Sequence, residues 1–257
     1  MESVHSDAQR AVITRVTEGH WRAVADDREI GRGDASRRPD GRIFVSVDAW
    51  HGAVFDRLAE AMLAELPRPL HAMVDGFDHD TTARWERAGM AVRRREWLYK
   101  MPTGSRPDAA PPPAGVTLLP VGAAEEGPLQ EAYSAIRAEI EATVGWAAMP
   151  VEVPARPVGA PIEPSRCAVA AGPDRYEGLV RVVARRRHAR IGLIAVRADR
   201  RRRGIGRALV VDVLAALHRG GIDTASADID ESNVAAMALF EGVGGRRVGS
   251  GLELISR

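Results

Sequence analysis

Two stretches of this chain carry the same spacing of unlike residues, and that repeat limits the available folds more than any composition. Asp78, Thr81, Trp85-Glu86 and Gly89-Met90 recur as Asn233, Ala236, Phe240-Glu241 and Gly244-Gly245. Each set reads as a short helix that stops at glycine, and in the first Asp78 or Asp80 could cap it. An extended basic segment follows each, and a strand–helix–strand unit precedes each. A chain that repeats itself this way is built from two copies of one scaffold.

The copies differ in length at one place. Val47 to Trp85 covers 38 positions, whereas Val196 to Phe240 covers 44. The excess falls at Arg200-Arg201-Arg202-Arg203-Gly204-Ile205-Gly206-Arg207, which the first copy replaces with Asp48-Ala49-Trp50-His51-Gly52. Before the loop, 191–196 reads as a buried strand; after it, 208–217 is apolar at helical spacing. A strand, a glycine-rich turn and a helix start make a place for an anion. The first N–H groups of a helix lack partners, and the helix dipole favours negative charge there. Gly204 and Gly206 allow close approach to the backbone, and the arginines add permanent charge. A tight turn followed by a solvated basic face is the plainer alternative.

Composition excludes several classes. Of 257 residues, 45% are hydrophobic and 28% charged, with a net charge of +1, which suits a globular protein with a real core. That near-neutral balance, with no aromatic platform or recognition helix beside 185–187 and 200–203, argues against a nucleic-acid partner. The first ten residues lack the apolar core of a secretory signal, and no apolar run spans a bilayer. Cys167 is the only cysteine, so neither an internal disulfide nor a cysteine metal cluster can form. His79, between Asp78 and Asp80, has no further ligand set around it. A cytoplasmic protein without metal or membrane contact is expected, acting as a monomer or homodimer.

Along the chain, 11–16, 21–25, 43–47, 70–74 and 92–101 read as strands, and 53–66 and 80–88 as helices. The span 29–38 is polar and glycine-containing, leading to the Pro39-Asp40-Gly41 turn. Pro107 and Pro111-Pro112-Pro113 mark 102–115 as a linker, so the expected domains are 1–101 and 116–257. In the second, 116–119, 166–171, 178–185, 190–196 and 225–229 read as strands. Helix is expected over most of 123–143, and over 208–217 and 233–243, with one or two strands at 246–255. The proline-rich 149–164 is a long loop of the kind that often serves function.

Arg201-x-x-Gly204-x-Gly206 after a strand, followed by Asn233-x-x-Ala236-x-x-Leu239-Phe240 and Gly244, resembles the GNAT superfamily of acyl-CoA acyltransferases. The resemblance covers about 116–257 directly and 20–101 through the repeat. It implies an α/β fold of two GNAT-like mixed, twisted sheets flanked by helices in tandem, an arrangement similar to that of mycothiol synthase. By this resemblance the backbone of Arg202, Arg203, Gly204, Ile205, Gly206, Arg207 and Ala208, with Arg201, would hold the pyrophosphate of acetyl-CoA. Ile194, Ala195 and Val196 would pair with the pantetheine arm, and an N–H of Ala195 or Val196 would stabilise the oxyanion. Asn233 and Phe240 would line the cofactor. The first half would be a degenerate copy without the loop, helping to shape the acceptor cleft.

Two positions depart from the family. Phe240 stands where a tyrosine commonly protonates the thiolate, and Gly192 leaves the strand before the loop without the glutamate base some members carry. Positioning an amine beside the thioester could supply much of the rate. Asp228 and Asp230, on one face of a strand, are the remaining candidates to accept a proton or attract a cationic substrate. Asp230 or Ser232 could instead cap the next helix. Glu139 and Glu141 could line the acceptor side or be a solvated helix face. His188 reads as a hairpin-tip residue, Cys167 as a buried structural thiol, and the five tryptophans as mainly core, with Trp146 near the long loop. The expected function is N-acetylation of a small-molecule amine by direct attack on acetyl-CoA; the alternative is a non-catalytic acyl-CoA-binding or regulatory module.

Overall fold

In the computed structural model, which describes residues 10–104, 111–150 and 161–257, the repeat becomes two runs of strand, helix, strand, helix, strand. The strands are β1 (Val12–Thr17), β2 (His20–Ala25), β3 (Arg28–Arg37), β4 (Ile43–Ala49), β5 (Leu70–Asp75), β6 (Ala91–Pro102), β7 (Thr117–Leu119), β8 (Cys167–Ala171), β9 (Tyr176–Arg185), β10 (His188–Val196), β11 (Thr224–Asp230) and β12 (Arg246–Ser256). The helices are α1 (Gly52–Glu65), α2 (His79–Arg87), α3 (Glu126–Glu141), α4 (Ile205–Arg219) and α5 (Val234–Glu241). The first run is β3-β4-α1-β5-α2-β6; the second is β9-β10-α4-β11-α5-β12.

Contacts divide the chain into Met1–Arg95 with Ser250–Arg257, and Glu96–Gly249. The division therefore falls inside β6 and inside β12, not in the linker at 102–115. Of that linker, Pro102 ends β6 and Thr103 is buried, its hydroxyl donating to the Ile222 carbonyl and its amide to that of Asp223. Residues 105–110 lie outside the described residues, as do 151–160 of the long loop.

In the first unit the strand order is β1-β2-β3-β4-β5 followed by the end of β12. All neighbours are antiparallel except β4 and β5, and Gly251–Ser256 pairs with Leu70–Asp75. One core forms, where Val54, Leu58 and Met62 of α1 and Trp85 of α2 meet Trp21, Ala23, Ala72 and Leu254. These α1 positions recur at helical spacing, which is why the stripe was legible. The other face of the sheet carries ion pairs such as Arg22–Glu29 and Arg32–Asp48.

The span 29–38, read as polar, belongs to strand β3. Its inward residues are small: a Cβ on Gly31 would meet Val54 Cγ1 at 3.0 Å, and one on Gly33 would meet Met62 Sδ at 2.3 Å. Helix α1 lies so close that glycine is required there, and hydrophobic alternation disappears with the side chains.

In the second unit the order is the end of β6, then β11-β10-β9-β8-β7. Again one neighbouring pair, β10 and β11, is parallel. Here both faces are covered. Helices α4 and α5 bury Leu209, Val213 and Phe240 against Val180, Ile191 and Ala227. Helix α3 buries Leu129, Tyr133 and Ile136 on the opposite face against Cys167, Leu179 and Leu193. Trp146 packs edge-on to Tyr133 at 6.1 Å and belongs to this core. Cys167 is fully buried, as expected of a structural thiol. Trp50 departs from the expected core role: it is 70% exposed, at the step into α1.

Candidate active site

The parallel pairing of β10 and β11 is short. It joins His188–Arg190 to Thr224–Ser226 and goes no further. Beyond Arg190 the strands part, so Ile194, Ala195 and Val196 are bonded on one side only, to Val180, Leu179 and Gly178 of β9. All three are partly exposed. Their other edge can accept an extended amide chain as an added strand. A bulge at Gly192 helps to turn β10: Ile191 faces Val182 and Leu193 faces Arg181, leaving Gly192 without a β9 partner. A Cβ there would come within 3.6 Å of Arg181 Nη1.

Eight residues connect β10 to α4, against two between β4 and α1, so most of the length difference lies in this turn. Gly204 caps α4 with φ +83°, a left-handed conformation that costs glycine nothing. Arg202, at φ 63°, also turns left-handed. The amides of Gly204, Ile205, Gly206 and Arg207 precede the first intrahelical bond, which Ala208 donates to Gly204 at 3.0 Å. Ala208, expected among the anion-binding amides, is thus committed to the helix. Ile205 contributes backbone alone, since its side chain is 2% exposed in the core.

The arginines divide by partner. Glu177 of β9 accepts from Arg200 Nε at 2.6 Å and from its Nη2, which pushes the Arg200 pKa up. Arg201 Nε donates to the Val196 carbonyl at 3.1 Å, and its Nη2 lies 3.8 Å from Glu139 Oε2. Arg207 Nη1 donates to the Gly242 carbonyl at 3.0 Å. Arg202 and Arg203 are exposed and make no ion pair among the described residues. They are the charges left for a bound anion, so the turn is both held and charged.

The proton-transfer candidates are less free. Asp228 and Asp230 share a face, opposite Leu98 and Glu96 in register. Arg190 Nη2 donates to Asp228 Oδ2. Asp230 Oδ1 accepts from the Ser232 amide at 2.9 Å and from its hydroxyl. Neither Asp230 nor Ser232 caps α5; Asn233 does, its side chain accepting from the Ala236 amide at 3.0 Å. That bond takes one lone pair of the Asn233 oxygen. Asp78 caps α2 by the same contact with Thr81, and this lowers its pKa.

Phe240 is 1% exposed, with Tyr99 6.4 Å away in the same core. The Tyr99 hydroxyl donates to Glu241 at 2.7 Å and accepts from Arg247 Nε at 2.7 Å. Burial, followed by the Glu241 bond, raises its pKa, so it stays protonated but engaged. His188 begins β10 rather than sitting at the hairpin tip, which is Arg186-Arg187; it contacts Thr224 Oγ1 at 3.1 Å and Ser226 Oγ at 2.9 Å. Glu141 accepts from the Trp146 amide at 2.7 Å and is no free acid. Glu177 went unnoticed in the sequence, although a carboxylate next to Gly178 at the start of the apolar run Leu179–Val180 was its signal. Among the described residues no three histidine, cysteine or acidic side chains are placed to hold a metal, and no helix is long and apolar enough to cross a membrane.

The first unit holds a counterpart. Strands β4 and β5 pair in parallel only at Ile43–Leu70 and Phe44–His71, then part. At the start of α1, a Cβ on Gly52 would lie 1.8 Å from Arg84 Nη2. That guanidinium, reaching from α2, bonds both oxygens of Asp56 at 3.0 and 2.9 Å. A side-chain pair fills the space that is left open over α4.

Residues 139–244 match the model of the acetyltransferase (GNAT) family. No curated protein matches the chain. Among solved structures it is similar to a GCN5-related N-acetyltransferase from Sphaerobacter thermophilus, at 18% identity and TM-score 0.67, over 99% of this chain and 84% of that one. It is also similar to a tandem GNAT protein from the clavulanic acid biosynthesis pathway, at 14% and 0.63, over 96% and 83%. A third, a GCN5-related N-acetyltransferase from Kribbella flavida, gives 17% and 0.60, over 99% and 92%. The splayed strands and the loop at the start of α4 thus lie in the stretch that matches the GNAT acetyltransferase model, within a chain whose fold is similar to that of GNAT structures, a tandem one included.

Proposed function

We propose that the protein transfers the acetyl group of acetyl-CoA to the amine of a small molecule, by direct attack with both substrates bound. The observation that carries this reading is the open edge of β10 ending at a helix start with no side-chain cap, flanked by two arginines without ion pairs among the described residues. The amides of Gly204 to Arg207, with Arg202 and Arg203, fit a pyrophosphate. Ile194 to Val196 fit the amide-bearing arm that joins it to the thioester. The amine nitrogen bonds to the acetyl carbon as the carbon–sulfur bond breaks, and the amine proton must leave. Asp228 and Asp230 lie on the strand across the gap and are the carboxylates best placed to take it, directly or through water. Asp228 already accepts from Arg190. CoA thiolate leaves without a donated proton, so Phe240 does not bar the reaction.

A second reading, an acyl-CoA-binding module without turnover, is favoured by one observation: the hydroxyl near Phe240 and both aspartates already have partners. Thiol release from acetyl-CoA over a panel of small amines separates the two. Release with any amine supports transfer. CoA binding without release from any amine supports the module. Absence of CoA binding overturns both.

A further inference from the structure

The turn that follows β10 is held from two sides by carboxylates. On one side Glu177, 2% exposed, grips Arg200, and its carbonyl accepts the Arg197 amide at 2.8 Å. On the other side stands Glu139, near the C-terminal end of α3. The helix buries Leu129, Ala132, Tyr133 and Ile136, and Glu139 follows at the next helical step. Its Oε2 accepts from the Ala198 amide at 2.8 Å. A half-buried carboxylate is costly without partners and strong with charge-assisted ones.

We propose that Glu139 is a positioning residue for the acyl donor, tying the 197–201 turn to α3 and so setting the angle at which the loop presents Arg202, Arg203 and the start of α4. This rests on the donor reading above. Eight connecting residues would otherwise have to be ordered when the donor binds, at a cost to affinity. Glu139 removes part of that cost beforehand. It thus links α3 to the turn before α4, through the Ala198 amide and the nearby Arg201 guanidinium. The anchor acts on the phosphate end of the donor and leaves the β10 edge, held by β9, as it is.

The test compares CoA with S-acetylpantetheine, which has the arm but lacks the nucleotide and pyrophosphate, by titrating each into the full chain and following the protein by NMR. Glu139→Ala is expected to weaken CoA about tenfold and S-acetylpantetheine less than about twofold. Glu139→Gln keeps an oxygen for the Ala198 amide and should stay within about threefold of wild type. Ala198→Pro removes the donor from the other end. Arg197, with φ −52° and ψ 142°, already has the backbone that precedes a proline, so this variant should fold and match Glu139→Ala. The double variant should be no weaker than either single one, because the same bond is lost. Unchanged CoA affinity in Glu139→Ala, or equal losses for both ligands, overturns the proposal. Failure of the wild-type chain to bind CoA overturns the donor reading itself, and this proposal with it.

Discussion

The two units use the same strand plan with one parallel pair that parts after two or three residues, and they treat the resulting gap in opposite ways. In the first, Arg84 and Asp56 close the space at the helix start, and a two-residue connection leaves no room for a loop. In the second, an eight-residue turn is anchored at Glu177 and Glu139, the helix start stays open, and both faces are covered. The splayed pair is common to both units; what differs is the helix N-terminus. In the first unit a guanidinium and a carboxylate there satisfy each other; in the second, backbone amides and two exposed arginines suit the anion proposed above.

The largest effect expected is on stability. Glu253 is fully buried in the first unit, where it meets His71 Nδ1 and Arg93 Nη1 at 2.8 Å each and Arg94 Nε at 2.6 Å. Burial raises its pKa, but His71, Arg94 and Arg93 outweigh that and hold it at about 2. Glu253→Ala leaves buried cations uncompensated and should cost about 3–5 kcal/mol in urea denaturation. Because the folded pKa is depressed, the contribution is complete above the ordinary value of 4.5 and disappears as pH falls from there through about 2. Denaturation midpoints measured across that range should drop in wild type and much less in Glu253→Ala. CoA affinity of the variant at neutral pH should be unchanged, which would fix the role of this cluster as structural.

Next in size is a pair of glycine substitutions. Gly204→Val forces a branched side chain into a left-handed cap and should weaken CoA by about tenfold or more. Gly52→Val in the first unit should leave CoA affinity within about twofold. Equal losses would mean that the first unit also holds the donor. Smaller still, Arg202→Ala and Arg203→Ala should each weaken CoA about three- to tenfold, with the deficit shrinking in high salt. A deficit that ignores salt would assign these arginines a packing role. The smallest effect is expected from Arg84→Leu, which copies Leu239 of the second unit. It removes a partly exposed ion pair worth roughly 0–1 kcal/mol, and calorimetric titration should still find one CoA per chain. A second site appearing in this variant would show that Arg84 alone keeps the first unit closed.

Much of the scaffold was legible because its signals are local. Asp78 stands at a cap position three residues before the amide it receives. The α1 stripe and the extra residues of the charged turn also lie within short windows. Strand β3 was not legible, since Gly31 and Gly33 replace the inward side chains whose alternation would mark it. At the site, the residue types were readable but their availability was not. Asp228, Ala208 and Asn233 look free in a sequence, and each already has a partner supplied by the fold.

The sequence alone determined the repeat, the cap of α2, the stripe of α1 and the placing of a single glycine–arginine loop in the second copy, because short-range spacing sets helices, strands and turns. Only the tertiary structure decided that β12 pairs with β5 and β6 with β11, that Arg84 fills one helix start, and that Glu139 and Glu177 hold the turn over the other. Those outcomes join residues from 23 to more than 100 positions apart. A carboxylate 23 or 59 positions away from its donor has no local pattern to announce it; it becomes a partner only when the core brings the two strands, or the helix and the turn, to hydrogen-bonding distance.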